Sequence, residues 1–398
     1  MPSLCKTSHF CIRRLAFVLA ITVLPVAGWA QALVTLHSFA QGNGVTPLGS
    51  IVRDSAGNIY GETEYGEGNS YYYGEIYKIS ADGTFSIPHQ FCSEPNCADG
   101  ANPWGGLIMG SDGNIWGTTL GTVFKMSLAG DLTTVYTFCS LPGCADGDET
   151  YAPLVEGPDG NFYGVTLLGG LYRFNECGGT CGVVFQVTPA GVLTVLHSFN
   201  GHDGYYPIYG LVLGSDGNYY GTTTRGGMNG LGTAFKISSA GAFTLLHNFS
   251  QDEGYYTLLT LQAASGNFYG ISLYDGADSG GTAFEMTPGG KVTVIRNFDS
   301  STGTVPLALI PGPKGNFFGA LSAGGNGGGL IFEMNPSGNI KTLYEFCSLT
   351  NCDDGQSPNA LLTTASGTLI GTTASGGGNS CDIVGAEGAC GAVFSFEP

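Results

Sequence analysis

The chain repeats itself seven times, and no other feature limits its fold so tightly. One column of the repeat is Phe39, Phe91, Phe138, Phe199, Phe249, Phe298 and Phe346. A second is a Gly-Asn-x-aromatic-Gly box, as in Gly57 to Gly61 and Gly217 to Gly221, worn in the last copy to Gly367-Thr368-Leu369-Ile370-Gly371. A third column is always aromatic: Tyr77, Phe124, Phe185, Phe235, Phe284, Phe332 and Phe394. A fourth, mostly aliphatic, holds Ile51, Leu107, Leu154, Leu211, Thr260, Leu309 and Leu361. Successive copies of the first column lie 47 to 61 residues apart. A unit of that size that cannot bury its own apolar face must stack on its neighbours.

Each unit reads as four short strands. In the fourth copy they are Gly210-Leu211-Val212-Leu213, the Asn218 box, Thr233-Ala234-Phe235-Lys236-Ile237 and Phe243-Thr244-Leu245-Leu246-His247-Asn248-Phe249. Alternating β-branched and aromatic residues between Gly, Pro and Asp are strand and hairpin signals. The segment Leu33 to Phe39 is a fourth strand with no third before it, and Gly391 to Phe396 is a third strand with no fourth after it. Joined, they complete one blade and leave no open edge. Residues 33–398 are therefore expected to be all-β: a seven-bladed β-propeller of four-stranded blades, closed by the N-terminal strand joining the C-terminal blade. An open β-solenoid or a pair of sandwiches is the structural alternative.

Composition narrows the partners. Charged residues make up only 11% of the chain, too few to clothe surface helices, and the formal net charge of −18 leaves no basic face for nucleic acid. Residues 1–30 read as a secretory signal: Lys6, Arg13 and Arg14, then an apolar run from Leu15 to Gly28, with cleavage after Ala30 or Ala32. That run is short for a membrane span, and no later segment approaches one. The ten cysteines after it fall into five local pairs: Cys92 with Cys97, Cys139 with Cys144, Cys177 with Cys181, Cys347 with Cys352, and Cys381 with Cys390. In an exported chain these imply disulfides rather than zinc. The expected location is extracellular or periplasmic.

Loop lengths single out one face. The third-strand aromatic is always 14 residues before the next column Phe, so the turn between strands three and four never changes. All variation lies in the two-to-three and four-to-one loops, which leave an up-and-down blade on the same side. The cysteines sit in the longest of them, where crosslinks offset added chain entropy.

Segments such as Gly221-Thr222-Thr223-Thr224-Arg225-Gly226-Gly227, Gly232-Thr233-Ala234-Phe235-Lys236-Ile237 and Leu246-His247-Asn248-Phe249 resemble the GloVer tandem-repeat family of exported bacterial proteins. The resemblance runs through every unit from Leu33 to Phe396. It implies an exported propeller-like repeat protein and carries over no catalytic residue. The sequence ends at Pro398 without a recognisable anchor, which favours a soluble secreted or periplasmic product.

The chemistry-bearing residues mostly belong to the repeat. His37, His89, His197 and His247 share one column, where Tyr136, Arg296 and Tyr344 take comparable places, so they are expected to be structural. His202, in the loop Asn200 to Tyr206, stands outside that column and is a candidate base or ligand. The Asp-Gly steps at Asp99, Asp146, Asp203 and Asp354 read as turns, with calcium the alternative. Glycine runs such as Gly324 to Gly329 precede no helix and read as loops rather than phosphate cradles. Tyrosines gather in the variable loops: Tyr71, Tyr72 and Tyr73, then Tyr205 and Tyr206, then Tyr255 and Tyr256, with Arg225 nearby in sequence. Flat rings with hydroxyl tips suit sugars or protein partners. The expected function is non-catalytic binding of a glycan or an extracellular protein on the variable face, with no cofactor and no metal. The alternatives are a propeller lyase or hydrolase and a purely structural surface protein.

Overall fold

The computed structural model describes residues 33–40, 42–66, 73–174, 177, 179–383 and 386–398. The expected leader over residues 1–30, both cleavage positions, Tyr71 and Tyr72 lie outside the described residues. Seven four-stranded antiparallel sheets form the blades; in six the strands pair in sequence order, and in the seventh the N-terminal strand takes the outer place. Blade one is Val45–Arg53, Ile59–Tyr65, Glu75–Ile79 and Phe85–Gln90. Blade seven is Gln356–Thr363, Leu369–Ser375 and Ala392–Phe396, completed by Leu33–Ser38. That closing pair is antiparallel, with Leu33 opposite Phe396 and Ser38 opposite Ala392.

First strands face the axis. They bond across blade boundaries, as where Ser50 Oγ donates to the Leu107 carbonyl at 2.8 Å and Asn359 Nδ2 to the Pro47 carbonyl at 2.8 Å. Every blade lends its first strand, or the segment leading into it, to the wall of a central cavity of about 390 Å³. One correction to the sequence register falls here. Leu259, not Thr260, stands opposite Gly270, as Leu309 stands opposite Gly319 and Leu361 opposite Gly371. A bulge between Leu259 and Leu261 inserts the extra residue, leaving Leu259 buried and Thr260 half-buried.

Two contacts explain the repeat columns. The last glycine of each box lies directly across from the third-strand aromatic, as Gly117 does from Phe124 and Gly221 from Phe235. A Cβ at either glycine would sit 2.5 Å from that ring, so only hydrogen fits. The ring so received then meets the column Phe that ends the previous blade. The seven pairs, from Phe39 with Tyr77 to Phe346 with Phe394, have centroids 5.1 to 5.7 Å apart, most of them edge-on. Both partners are buried throughout.

The constant turn is equally regular. Gly83, Gly130, Gly191, Gly241, Gly290 and Gly338 each hold a positive φ there, and each donates its N–H to the carbonyl three residues back. On the other side the two variable loop families bond to one another: Gly170 N–H to the Cys144 carbonyl, Gly227 to Gly201, Gly276 to Gln251 and Gly377 to Cys352. They therefore share a face.

Removing one clasp ring should cost far more than trimming the tight-turn face. Phe199→Ala is expected to lose about 3–5 kcal/mol in urea unfolding, whereas exposed Leu128→Ala should stay within about 0.5 kcal/mol. Equal losses for the two would show that the inter-blade rings do not hold the ring of blades together.

Candidate functional site

Five of the four-to-one loops are anchored by one device, a loop carboxylate set against a His or Tyr of the fourth strand. His89 pairs with Asp99 at 3.1 Å, His197 with Asp203 at 3.0 Å and His247 with Glu253 at 2.9 Å. Tyr136 and Tyr344 donate their hydroxyls to Asp146 and Asp354, each at 2.8 Å. The same carboxylates accept backbone N–H groups of Ser93, Ser140, Asn200, Ser250 and Ser348, just past the column Phe. At the closing blade the device is neutral: His37 meets Asn43 at 3.3 Å, and burial drops the imidazole to about 4. Burial pushes Asp99, Asp146 and Asp354 up, but bonds from Ser93, Ser140 and Ser348, with the Tyr136 and Tyr344 hydroxyls helping at Asp146 and Asp354, outweigh it and hold them below the usual carboxylate range. The histidine column is thus structural, and the Asp-Gly aspartates do more than turn the chain.

All five expected disulfides are formed, with Cα separations from 3.9 to 5.4 Å. Cys92 bonds Cys97, Cys139 bonds Cys144 and Cys347 bonds Cys352, closing the three four-to-one loops already held by Asp99, Asp146 and Asp354. Cys97 is half-buried, and its carbonyl accepts the Gly100 N–H at 2.9 Å, so the crosslink and the turn reinforce each other. Cys177 bonds Cys181 and Cys381 bonds Cys390 in the two longest two-to-three loops. Cys390 is fully buried, and its carbonyl accepts the Thr46 N–H at 3.0 Å, tying blade seven to the start of blade one. Among the described residues, the one group of three metal-capable side chains is Cys139, Cys144 and Asp148, and its cysteines are bonded to each other. His202 is exposed in the loop leading to blade four, its N–H donated to Asn200 Oδ1 at 3.0 Å.

The tyrosines converge at blades four and five. Tyr205 and Arg225 exchange backbone bonds at 2.8 and 3.2 Å, which fastens the loop leading into blade four to that blade's two-to-three loop. The Arg225 guanidinium lies 5.3 Å above the Tyr255 ring. Tyr255 and Tyr256 meet edge-on at 4.6 Å, Tyr256 and Tyr274 at 6.0 Å, and Tyr205 and Tyr206 at 4.9 Å. Tyr206 and Tyr256 occupy equivalent positions with φ of 58° and 57°. Thr46, Asn102, Glu149, Val305 and Ser357 adopt the same left-handed turn where the other blades begin. A shape that disfavours L-residues recurs because it lets the N–H reach back to the previous blade, as Tyr206 does to Cys181 and Ser357 to Gly328.

Not every tyrosine is available. Tyr205 is buried, and Tyr206 donates its hydroxyl to the Cys177 carbonyl at 2.8 Å. Tyr255 is half-buried; burial, despite Arg225, pushes its phenol up to about 12, so it stays neutral. Tyr274, at 46% exposure, faces solvent with Tyr256 and Arg225 and was not singled out by the sequence because the repeat has no tyrosine column there. Tyr73 is exposed on the same face, in blade one. Tyr209 links the cluster to the central cavity: it lines the wall beside Trp104 and Tyr151, and its electrostatic neighbours are Tyr256 and Tyr274. Among the described residues eleven large apolar side chains are exposed, and seven lie on the variable face, including Leu141, Tyr172, Met228 and Leu349. Apolar exposure concentrated on one face is a mark of interaction.

Residues 22–207 and 120–327 match the model of the Gloeobacter/Verrucomicrobia repeat, the family abbreviated GloVer. The chain belongs to the Gloeobacter/Verrucomicrobia repeat family. No curated protein matches it in sequence. Solved propellers similar to this repeat protein include two from B. thetaiotaomicron. One is described as the extracellular domain of a one component system, with 12% identity and a TM-score of 0.56, matched over 92% of this chain and 41% of that one. The other is described as the extracellular domain of a hybrid two component system, with 14% identity and a TM-score of 0.57, over 92% and 41%. The repeat protein spans about two-fifths of the length of either. At these identities the likeness concerns the fold.

Glu62 is a buried acid that departs from the repeat. Glu62 takes the place that Thr118, Thr222 and Thr372 hold in other blades. It is fully buried, and its Oε2 accepts the Gly106 N–H at 2.9 Å while Oε1 has no partner. Burial pushes its carboxyl up to about 8. The cost of ionising Glu62 is absent below about 4.5, grows as pH rises to about 8 and is constant above. Glu62→Gln should therefore leave the melting temperature nearly unchanged at pH 4.5 and raise it, by on the order of a few degrees, at pH 8. An equal difference at both pH values would show that Glu62 titrates normally.

Proposed function

We propose that this repeat protein is an exported, non-catalytic binding module that takes a glycan over the tyrosine and arginine cluster of blades four and five. The observation that carries the reading is convergence. Three segments from two blades bring Arg225, Tyr255 with Tyr256, and Tyr274 into one cluster beside Tyr209 of the cavity wall. Rigid rings with polar edges match the apolar faces and equatorial hydroxyls of pyranoses at low cost in side-chain entropy. Export is supported by the basic and apolar leader and by five disulfides, which persist in oxidising compartments. The extracellular setting described for the two neighbouring propellers is in keeping with it. A non-catalytic role is supported by His89, His197 and His247 being committed, with Asp99, Asp203 and Glu253, to loop anchors.

The test is a glycan array with the mature chain, followed by calorimetry on the hits. Tyr274→Ala and Tyr256→Asn, the latter chosen because Asn tolerates the left-handed backbone, should each weaken binding about tenfold or more without shifting the melting temperature. Val192→Ala on the tight-turn face should leave affinity unchanged. Loss of binding through Val192 with the tyrosine variants unaffected would reverse the assignment of the face.

A further inference from the structure

Arg225 stands out against the charge of the whole chain. The protein carries 31 acidic residues against 13 basic ones. Among the described residues, the cations on the variable face are Arg173, Arg225 and Arg296; the others lie along strands or at the tight-turn end. Arg296 is spent in the repeat: it fills the histidine column, its Nε is buried and its guanidinium lies 6.0 Å from the Phe298 ring. Arg225 is exposed, yet it is not loose. Its N–H and carbonyl are both tied to Tyr205, and Thr223 Oγ1 donates to the same carbonyl at 3.0 Å.

The surroundings of its guanidinium are aromatic. Tyr255 lies beneath it, and Tyr255, Tyr256 and Tyr205 are the groups that act on its charge. Among the described residues the ion pairs are the three histidine–carboxylate anchors, and Arg225 is in none of them. In a chain this acidic, an arginine held on a ring with no carboxylate of its own is set up for one from outside. Stacking on Tyr255 uses the face of the guanidinium and Tyr256 meets part of its edge, which leaves the remaining donors, held in a fixed fork, for a carboxylate.

We infer that the ligand of the cluster is an acidic sugar, a uronic-acid residue whose carboxylate is gripped by the edge of Arg225 while its ring lies against Tyr256 and Tyr274. The inference rests on the glycan-binding reading above and goes beyond it by naming the charge. One carboxylate per pyranose matches one fixed cation beside Tyr256, whose ring stands at 83° to that of Tyr274; an acidic peptide would bring its carboxylates on flexible stems with no rigid face to lay on those rings. The net negative charge of the protein does not forbid this, because at physiological salt the field of distant exposed charges is screened within about 8 Å.

The experiment is calorimetry of the mature chain with oligomers of galacturonate, glucuronate and mannuronate, each beside its carboxyl-reduced neutral counterpart. At least one acidic oligomer should bind about tenfold or more tightly than its neutral partner. Arg225→Gln should abolish that preference, so that the acidic and neutral oligomers bind alike. Arg225→Lys, which keeps the charge and loses the fork, should retain only part of it. Matching melting temperatures confirm that both variants fold. Neutral oligomers that bind as tightly as acidic ones, with binding lost in Tyr274→Ala, would overturn the inference and leave glycan binding standing. An acidic preference that survives Arg225→Gln would also overturn it. Binding of none of the oligomers, together with an empty glycan array, would bring down both.

Discussion

The ring depends on one contact made seven times. A phenylalanine at the end of a blade meets, in most junctions edge-on, a third-strand ring of the next blade, and a glycine under that ring keeps the space clear for it. Edge-to-face geometry fixes the angle between the two sheets as well as their distance. Because the column Phe follows the fourth strand, each blade is clasped to its successor by its own last residues. Phe39 supplies the contact of the closing blade, so the N-terminal strand both completes a sheet and carries the seventh clasp to Tyr77.

That arrangement separates the two faces. Strand ends on the tight-turn side are bound by a turn that never changes, so nothing there can vary without altering the sheets. On the other side the chain must leave one blade and reach the next, and only the ends of that path are specified. The anchor fixes its start, a loop carboxylate, or Asn43 at the closing blade, set against His or Tyr of the fourth strand. The left-handed residue fixes its finish, reaching back to the previous blade. Between those points length and chemistry are free, and disulfides hold the longest versions. The tyrosine cluster arises from this freedom, with Tyr206 and Tyr256 standing at the left-handed positions of adjacent blades.

Much of this was legible in the residues. Recurrent contacts leave recurrent columns, so the blade count, the closing strand, the cysteine pairs and the shared loop face could all be read from spacing. What could not be read depends on departures from the repeat. The bulge in blade five shifted Thr260 into the place of Leu259, because a column drawn by counting cannot see an inserted residue. Tyr205 and Tyr206 are neighbours in sequence, yet one is buried and the other half-buried, a choice made by the backbone at Tyr206. Tyr274 contributes to the exposed patch but is extra to the pattern, so spacing gave it no weight. Glu62 shares its column with uncharged residues such as Thr118, Val165 and Thr222, and its burial marks it. Cys390 offered its partner by spacing but not its second task, the carbonyl that receives Thr46 across the blade boundary. The anchors are half-legible: the histidine column and the Asp-Gly aspartates recur in the sequence, but their pairing runs across a loop.

Native-state hydrogen exchange of the free, disulfide-intact chain tests the clasped ring most directly. Amides of the third strands in all seven blades, and of Leu33–Ser38, should exchange only through global opening, with one common free energy, while the variable loops exchange earlier. Independent early exchange of Leu33–Ser38, or a blade that opens while its neighbours stay protected, would contradict the account.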